Sequence, residues 1–133
     1  MKLLFESWRR YLKEQGALRL NIAGTPLRVE IASDEEDISK GLMHRDELDA
    51  NSGMLFMFPD SAERSFWMKN TNIPLSIAYV DDAGEILNIE DMEPHDLSGI
   101  PSRGPARCAI ETNRGWFKNN GIRPGDAVEG IPL

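Results

Sequence analysis

LRLNIAGTPLRVEIA, residues 18–32, alternates apolar and other side chains with a period of two on both sides of a turn. Leu18, Leu20 and Ile22 interleave with Arg19, Asn21 and Ala23. Leu27, Val29 and Ile31 interleave with Arg28, Glu30 and Ala32. Successive side chains of a strand point to opposite faces, so the pattern fits two half-buried strands. Ala-Gly-Thr-Pro between them supplies a hairpin turn. The same arrangement returns in PLSIAYV (74–80) and EILNIED (85–91), joined through Asp81-Asp82-Ala83-Gly84.

Three further segments read as strands. GMLFMF (53–58) is apolar at every position after its glycine, and its shortness between Gly53 and Pro59 favours a buried strand. FWM (66–68) and RCAIETN (107–113) follow, and AVEGIPL closes the chain as a last strand. Helices are few and short. Residues 2–14 place Leu4, Trp8, Tyr11 and Leu12 on one side. Ser33, with Glu36 three positions on, reads as a capping box opening a helix that stops near His44. Thr112 or Asn113 caps a brief helix, RGWFKNN, closed by Gly121. The long excursion 92–106 is rich in proline and glycine. Many short strands and two or three short helices predict a mainly β (α+β) fold: a small, mostly antiparallel β-barrel or sandwich.

The length of 133 residues suits one domain with a sizeable core. Residues 1–16 read as an amphipathic helix attached to a domain spanning 17–133. Residues 1–19 hold five basic and two acidic side chains, while the net charge of the whole chain is −7. An acidic body without a basic cluster argues against nucleic acid as a partner. No run approaches the roughly 20 apolar residues of a membrane span. Cys108 is the sole cysteine, so an intrachain disulfide is impossible. Glu6, Arg9 and Arg10 interrupt the first apolar run, so no secretory signal is read and a cytoplasmic location is expected.

GLMHRDELDANSGMLFMFP, then FWMKNTNIPLSIAYVDDAGEILNI, then RCAIETNRGWF and GIRPGDAV, resemble in order the prokaryotic family filed as domain of unknown function 192. The resemblance runs from about residue 26 to the C-terminus. It implies a compact β-barrel-like fold with short helices, and it brings no established activity. Relatives commonly carry an aspartate where this chain has Ser76, so a mechanism needing a carboxylate there does not transfer. Many relatives are exported, so the resemblance does not carry localisation.

The compact polar cluster after Phe66-Trp67-Met68 draws the functional reading. Lys69, Asn70 and Thr71 offer an ammonium, an amide and a hydroxyl in succession. Asn70 and Thr71 also suit a turn before Pro74. Trp67 is either a buried ring or a stacking surface. Arg45 has the planar fork for a carboxylate or phosphate, and it also suits an internal pair with Glu111. The expectation is a binding module holding a small polar or anionic ligand, or a peptide, at a mouth made by Arg45, Trp67, Lys69, Asn70, Thr71 and Glu111. A hydrolase-type enzyme using the same cleft is the second reading. A structural or assembly component docking a protein partner through residues 1–15 is the third. His44, His95 and Cys108 lack paired ligand spacing, so no metal and no cofactor are expected. Met54 and Met57, three apart in a strand, face opposite sides and do not suit copper. Cys108 reads as an inert core residue.

Overall fold

The computed structural model describes residues 7, 8, 10, 11 and 16–133. The elements are β1 (Ala17–Ile22), β2 (Thr25–Ala32), α1 (Glu35–Lys40), β3 (Ser52–Ala62), β4 (Ser65–Phe66) and β5 (Leu75–Val80). There follow β6 (Ile86–Met92), β7 (Ile100–Pro101), β8 (Ala106–Asn113), α2 (Trp116–Asn119) and β9 (Val128–Glu129). The mainly β expectation holds. Seven strands form one curled half-barrel sheet in the order β6-β5-β8-β3-β2-β1-β9, and β4 pairs with β7 apart from it. All pairings are antiparallel except β2 with β3, which α1 links as a parallel crossover. At one end the outer strands meet: Glu85 and Ala127 form a bridge, and Ile86 N–H donates to Asp126 O at 3.0 Å.

Alternation explains why the central strands are apolar throughout. On β3, Leu55 and Met57 enter a core inside the curl, while Met54, Phe56 and Phe58 enter a second core on the other face. On β5, Ala78 and Val80 point inward, while Leu75, Ile77 and Tyr79 point outward. A sheet covered on both faces has no polar side to alternate with. Ile86 of β6 and Val128 of β9 join the inner core, which Trp116 and Phe117 of α2 help to fill. Leu42, Met68 and Ile73, with half-buried Ile38, cover the outer one. Cys108 is fully buried in the inner core, and burial pushes its thiol up to about 12.

Local signals were sometimes read one step out of place. The cap of α1 is Asp34, whose Oδ1 accepts from Asp37 N–H at 2.8 Å, and not Ser33. The helix ends at Lys40, and a turn continues to His44, which has a left-handed φ of 65°. Helix α2 starts from Gly115, in the left-handed conformation, without a side-chain cap. Asn113 instead donates Nδ2–H to Leu48 O at 2.8 Å. The strand expected over 66–68 stops at Phe66, because Met68 N–H donates to Asp96 O and Asn70 turns with a φ of 54°. The last strand is confined to Val128–Glu129.

The expected helix over 2–14 lies largely outside the described residues. Ser7, Trp8, Arg10 and Tyr11 are helical, and Trp8 packs on the inner core and donates Nε1–H to Pro132 O at 3.2 Å. No helix among the described residues is long and apolar enough to cross a membrane.

Gly53 is fixed by close approach. A Cβ there would lie 2.3 Å from the carbonyl oxygen of Glu111 on the neighbouring strand. Gly53→Ala must therefore part β3 from β8. A loss of about 2–3 kcal/mol in urea-unfolding free energy is expected, and a change within experimental error contradicts this packing.

Candidate functional site

Glu111 lies on the outward-facing side of β8. Its register partners are Met54 on β3 and Ile77 on β5, both apolar and both in the outer core. The sheet therefore offers its carboxyl group neither a cation nor a donor. The residue is 4% exposed, and its carboxyl group has no hydrogen-bond or ion-pair partner among the described residues. Burial alone pushes the carboxyl up to about 8. An isolated carboxylate is costly to bury, so the proton is retained instead.

This group opens on a cavity of about 380 Å³ between the outer sheet face and two covering segments. Phe56, Phe58 and Phe66 give it an aromatic wall, with residues 38–43 on one side and 63–68 on the other. Phe66 stands at the centre of edge-on contacts with Phe56, Phe58 and Tyr79, at centroid distances of 4.8, 6.2 and 5.9 Å. Gly41 lets the chain pass close over this wall: its φ is 49°, and a Cβ there would meet the Phe56 ring at 3.3 Å.

The polar neighbours are already engaged. Arg64 donates from Nε to Ala106 O at 3.1 Å and from Nη2 to Asp60 O and Oδ1 at 2.6 and 2.8 Å. Its guanidinium stacks 3.7 Å from the Phe58 ring centroid. Thr71 is buried and donates Oγ1–H to Lys69 O at 3.1 Å. The Tyr79 hydroxyl donates to Ile100 O at 2.6 Å, and burial followed by the nearby Glu111 charge raises its phenol well above the ordinary value.

Of the six residues expected to share one mouth, Trp67, Thr71 and Glu111 line this cavity; Arg45, Lys69 and Asn70 do not. Arg45 donates from Nη1 and Nη2 to Glu30 Oε2 and Oε1 at 2.5 and 2.9 Å, so its pair is Glu30 and not Glu111. That hydrogen bonding lowers the Glu30 pKa and raises that of Arg45. Asn70 occupies an exposed turn. Lys69 is exposed, with Nζ 5.3 Å from the Trp67 ring centroid. Trp67 itself is 48% exposed at the rim. The anticipated cationic mouth is thus replaced by a lone buried acid in an aromatic enclosure.

Phe56 and Phe58 belong to the strand that the sequence marks as buried, and no local signal marks Arg64. The period of two in GMLFMF marks which ring positions share a face, but nothing local shows that the face is only partly covered. A wider depression of about 600 Å³ runs along residues 17–19, 26–28 and Asn51. Its described lining holds no buried ionisable side chain.

Comparison with known proteins places these features in a family. The family model DUF192, described as an uncharacterized ACR, matches residues 18–130. The chain is similar to the crystal structure of a Sinorhizobium meliloti 1021 protein described provisionally as a transcription regulator, with 37% identity and a TM-score of 0.81. That match covers 88% of this chain and 94% of the other. It is also similar to a protein of unknown function from Novosphingobium aromaticivorans DSM 12444, with 38% identity and a TM-score of 0.78, over 85% of this chain and 84% of the other. No curated protein matches it.

Two measurements check the site. Glu111 has a folded value near 8 against an ordinary 4.5, so the folded state holds the extra proton. Below about pH 4.5 the group costs no stability; the penalty grows as pH rises and is complete above about pH 8. Glu111→Gln removes it, so the gain in unfolding free energy over wild type should widen across that window, reaching a few kcal/mol. A gain independent of pH contradicts the assignment. The Arg45–Glu30 pair is partly exposed, at 36% and 47%. A double-mutant cycle on it should return about 1 kcal/mol or less.

Proposed function

From the premise that the chain belongs to the family filed as domain of unknown function 192, we propose that it is a small-ligand binding module whose site is the cavity at Glu111. One observation carries the reading: a buried carboxyl group without an internal partner opens on an enclosure with aromatic walls. Protein interiors satisfy their polar groups, and an exception aimed into a cavity marks a place where a ligand supplies the missing partner. The volume lies at the small end of the range for ligand sites.

Binding is better supported than hydrolysis. The cavity lining brings no histidine or cysteine to Glu111, and the Thr71 hydroxyl donates to a backbone carbonyl. A nucleophile held by a base is the arrangement that hydrolysis would need. Docking through the amino-terminal segment draws less support, since Trp8 is packed on its own core. The net charge of −7 weighs against nucleic acid. A single buried free cysteine suits a reducing, cytoplasmic compartment, which we include in the proposal.

Amide chemical-shift mapping with a fragment library tests the reading. Fragments binding at about 1 mM or tighter should move the signals of residues 38–43, 64–68, 71 and 111 together. Shifts that gather on another surface, or a library without a hit, would sink it.

A further inference from the structure

Resting on that binding reading, we propose that the cavity takes a small organic cation: an amine whose nitrogen meets Glu111 and whose apolar body lies against Phe56, Phe58 and Phe66. Glu111 has no counter-ion among the described residues. Cross-strand neighbours Met54 and Ile77 are apolar. The guanidinium of Arg64 is held by Asp60, by two backbone carbonyls and by the Phe58 ring. Lys69, the ammonium next to the rim, stands over Trp67 and outside the cavity. A buried acid left without a cation is matched by a ligand that brings one, because charge-assisted hydrogen bonds are the strong ones. Aromatic rings favour the same partner, since their quadrupoles attract ammonium groups. An anionic ligand would meet Glu111 with only the exposed Lys40, at the end of α1, to offset it.

The chemistry couples binding to a proton. The Glu111 carboxyl, raised by burial to about 8, is protonated in roughly nine molecules of ten at pH 7. An ammonium pairs with its ionised form, so the carboxyl O–H proton leaves to solvent as the cation enters. Apparent affinity then rises about tenfold per pH unit up to about pH 8 and levels off above it. The other charged or titratable groups around the cavity are Lys40 at the end of α1, Glu63 and Arg64 on the covering segment, Lys69 beside the rim and Tyr79 on β5. The raised phenol of Tyr79 stays protonated across this window. A neutral ligand accepting the carboxyl proton as a hydrogen bond predicts the reverse slope.

The test uses phenethylamine and its trimethylammonium analogue, with 2-phenylethanol and phenylacetate as neutral and anionic controls. Each is titrated calorimetrically into wild type and Glu111→Gln at pH 6, 7 and 8, in two buffers of different ionisation heat. Phenethylamine should bind at least tenfold tighter than the controls at pH 8, both cations should strengthen about tenfold per unit from pH 6 to 7 and release a proton, and the trimethylammonium, without an N–H to donate, should be the weaker of the two. Glu111→Gln should lose at least tenfold for the cations and little for the alcohol. The wild-type pH profile decides the matter even if that variant folds poorly. Tighter binding of the alcohol or the acid, cation affinity that is flat or falls as pH rises, or no cation binding overturns the cation class. The pocket reading survives those results if fragments still map to residues 38–43 and 64–68. Cation-induced shifts on another surface overturn both.

Discussion

The curled sheet must be covered on both faces, and the rest of the structure follows from that constraint. Its three central strands send alternate side chains into two separate cores, so neither face can be left to water. The inner core is filled by the sheet's own curvature, with Trp116 and Phe117 of α2 and with Val128 and Ile86 brought from opposite edges. The outer core is closed by no sheet of comparable size, only by the two-stranded β4–β7 ribbon, through Phe66 and Ile100. The rest of its cover is the crossover from β2 to β3 and the segment after β3, both mostly irregular chain. Irregular cover fits less tightly than a packed sheet, and the cavity is the space it leaves.

Glu111 makes sense only in that setting. Its place on β8 is dictated by period two: Ala109 shares its face, and Cys108 and Ile110 take the other. A carboxyl group at this position is turned into the outer core beside the aromatic cluster. The energetic cost is borne by the folded state as a retained proton. Stability and binding then draw on one group: what makes it costly in the empty protein makes it receptive to a charged partner.

Much of the architecture was legible in short-range pattern. The hairpin β1–β2 and the pair β5–β6 followed from alternation and turn chemistry, and Pro124-Gly125 forms a turn, with Gly125 at a φ of 94°. The parallel pairing of β2 with β3 was not legible, since it depends on where the crossover returns. Cap positions slipped by a residue or more because several neighbouring side chains were chemically competent. Asp34 and Ser33 both accept hydrogen bonds, and only the local backbone decides between them. Trp67, Thr71 and Glu111 line one cavity, while Arg45, Lys69 and Asn70 lie outside it. Arg45 and Lys69 supply positive charge in the sequence, and tertiary structure spends it elsewhere, on Glu30 and on the face of Trp67.

Alternation, apolar runs and turn residues by themselves determined that this chain makes a small, mainly antiparallel sheet with strands at 53–58, 74–80 and 107–113, because side-chain direction along a strand is a local property. Only the tertiary structure decided that Glu111 stands alone while Arg45 finds Glu30. Which charges meet is set by how distant segments are carried over the sheet, and neighbours in sequence hold no record of that distance.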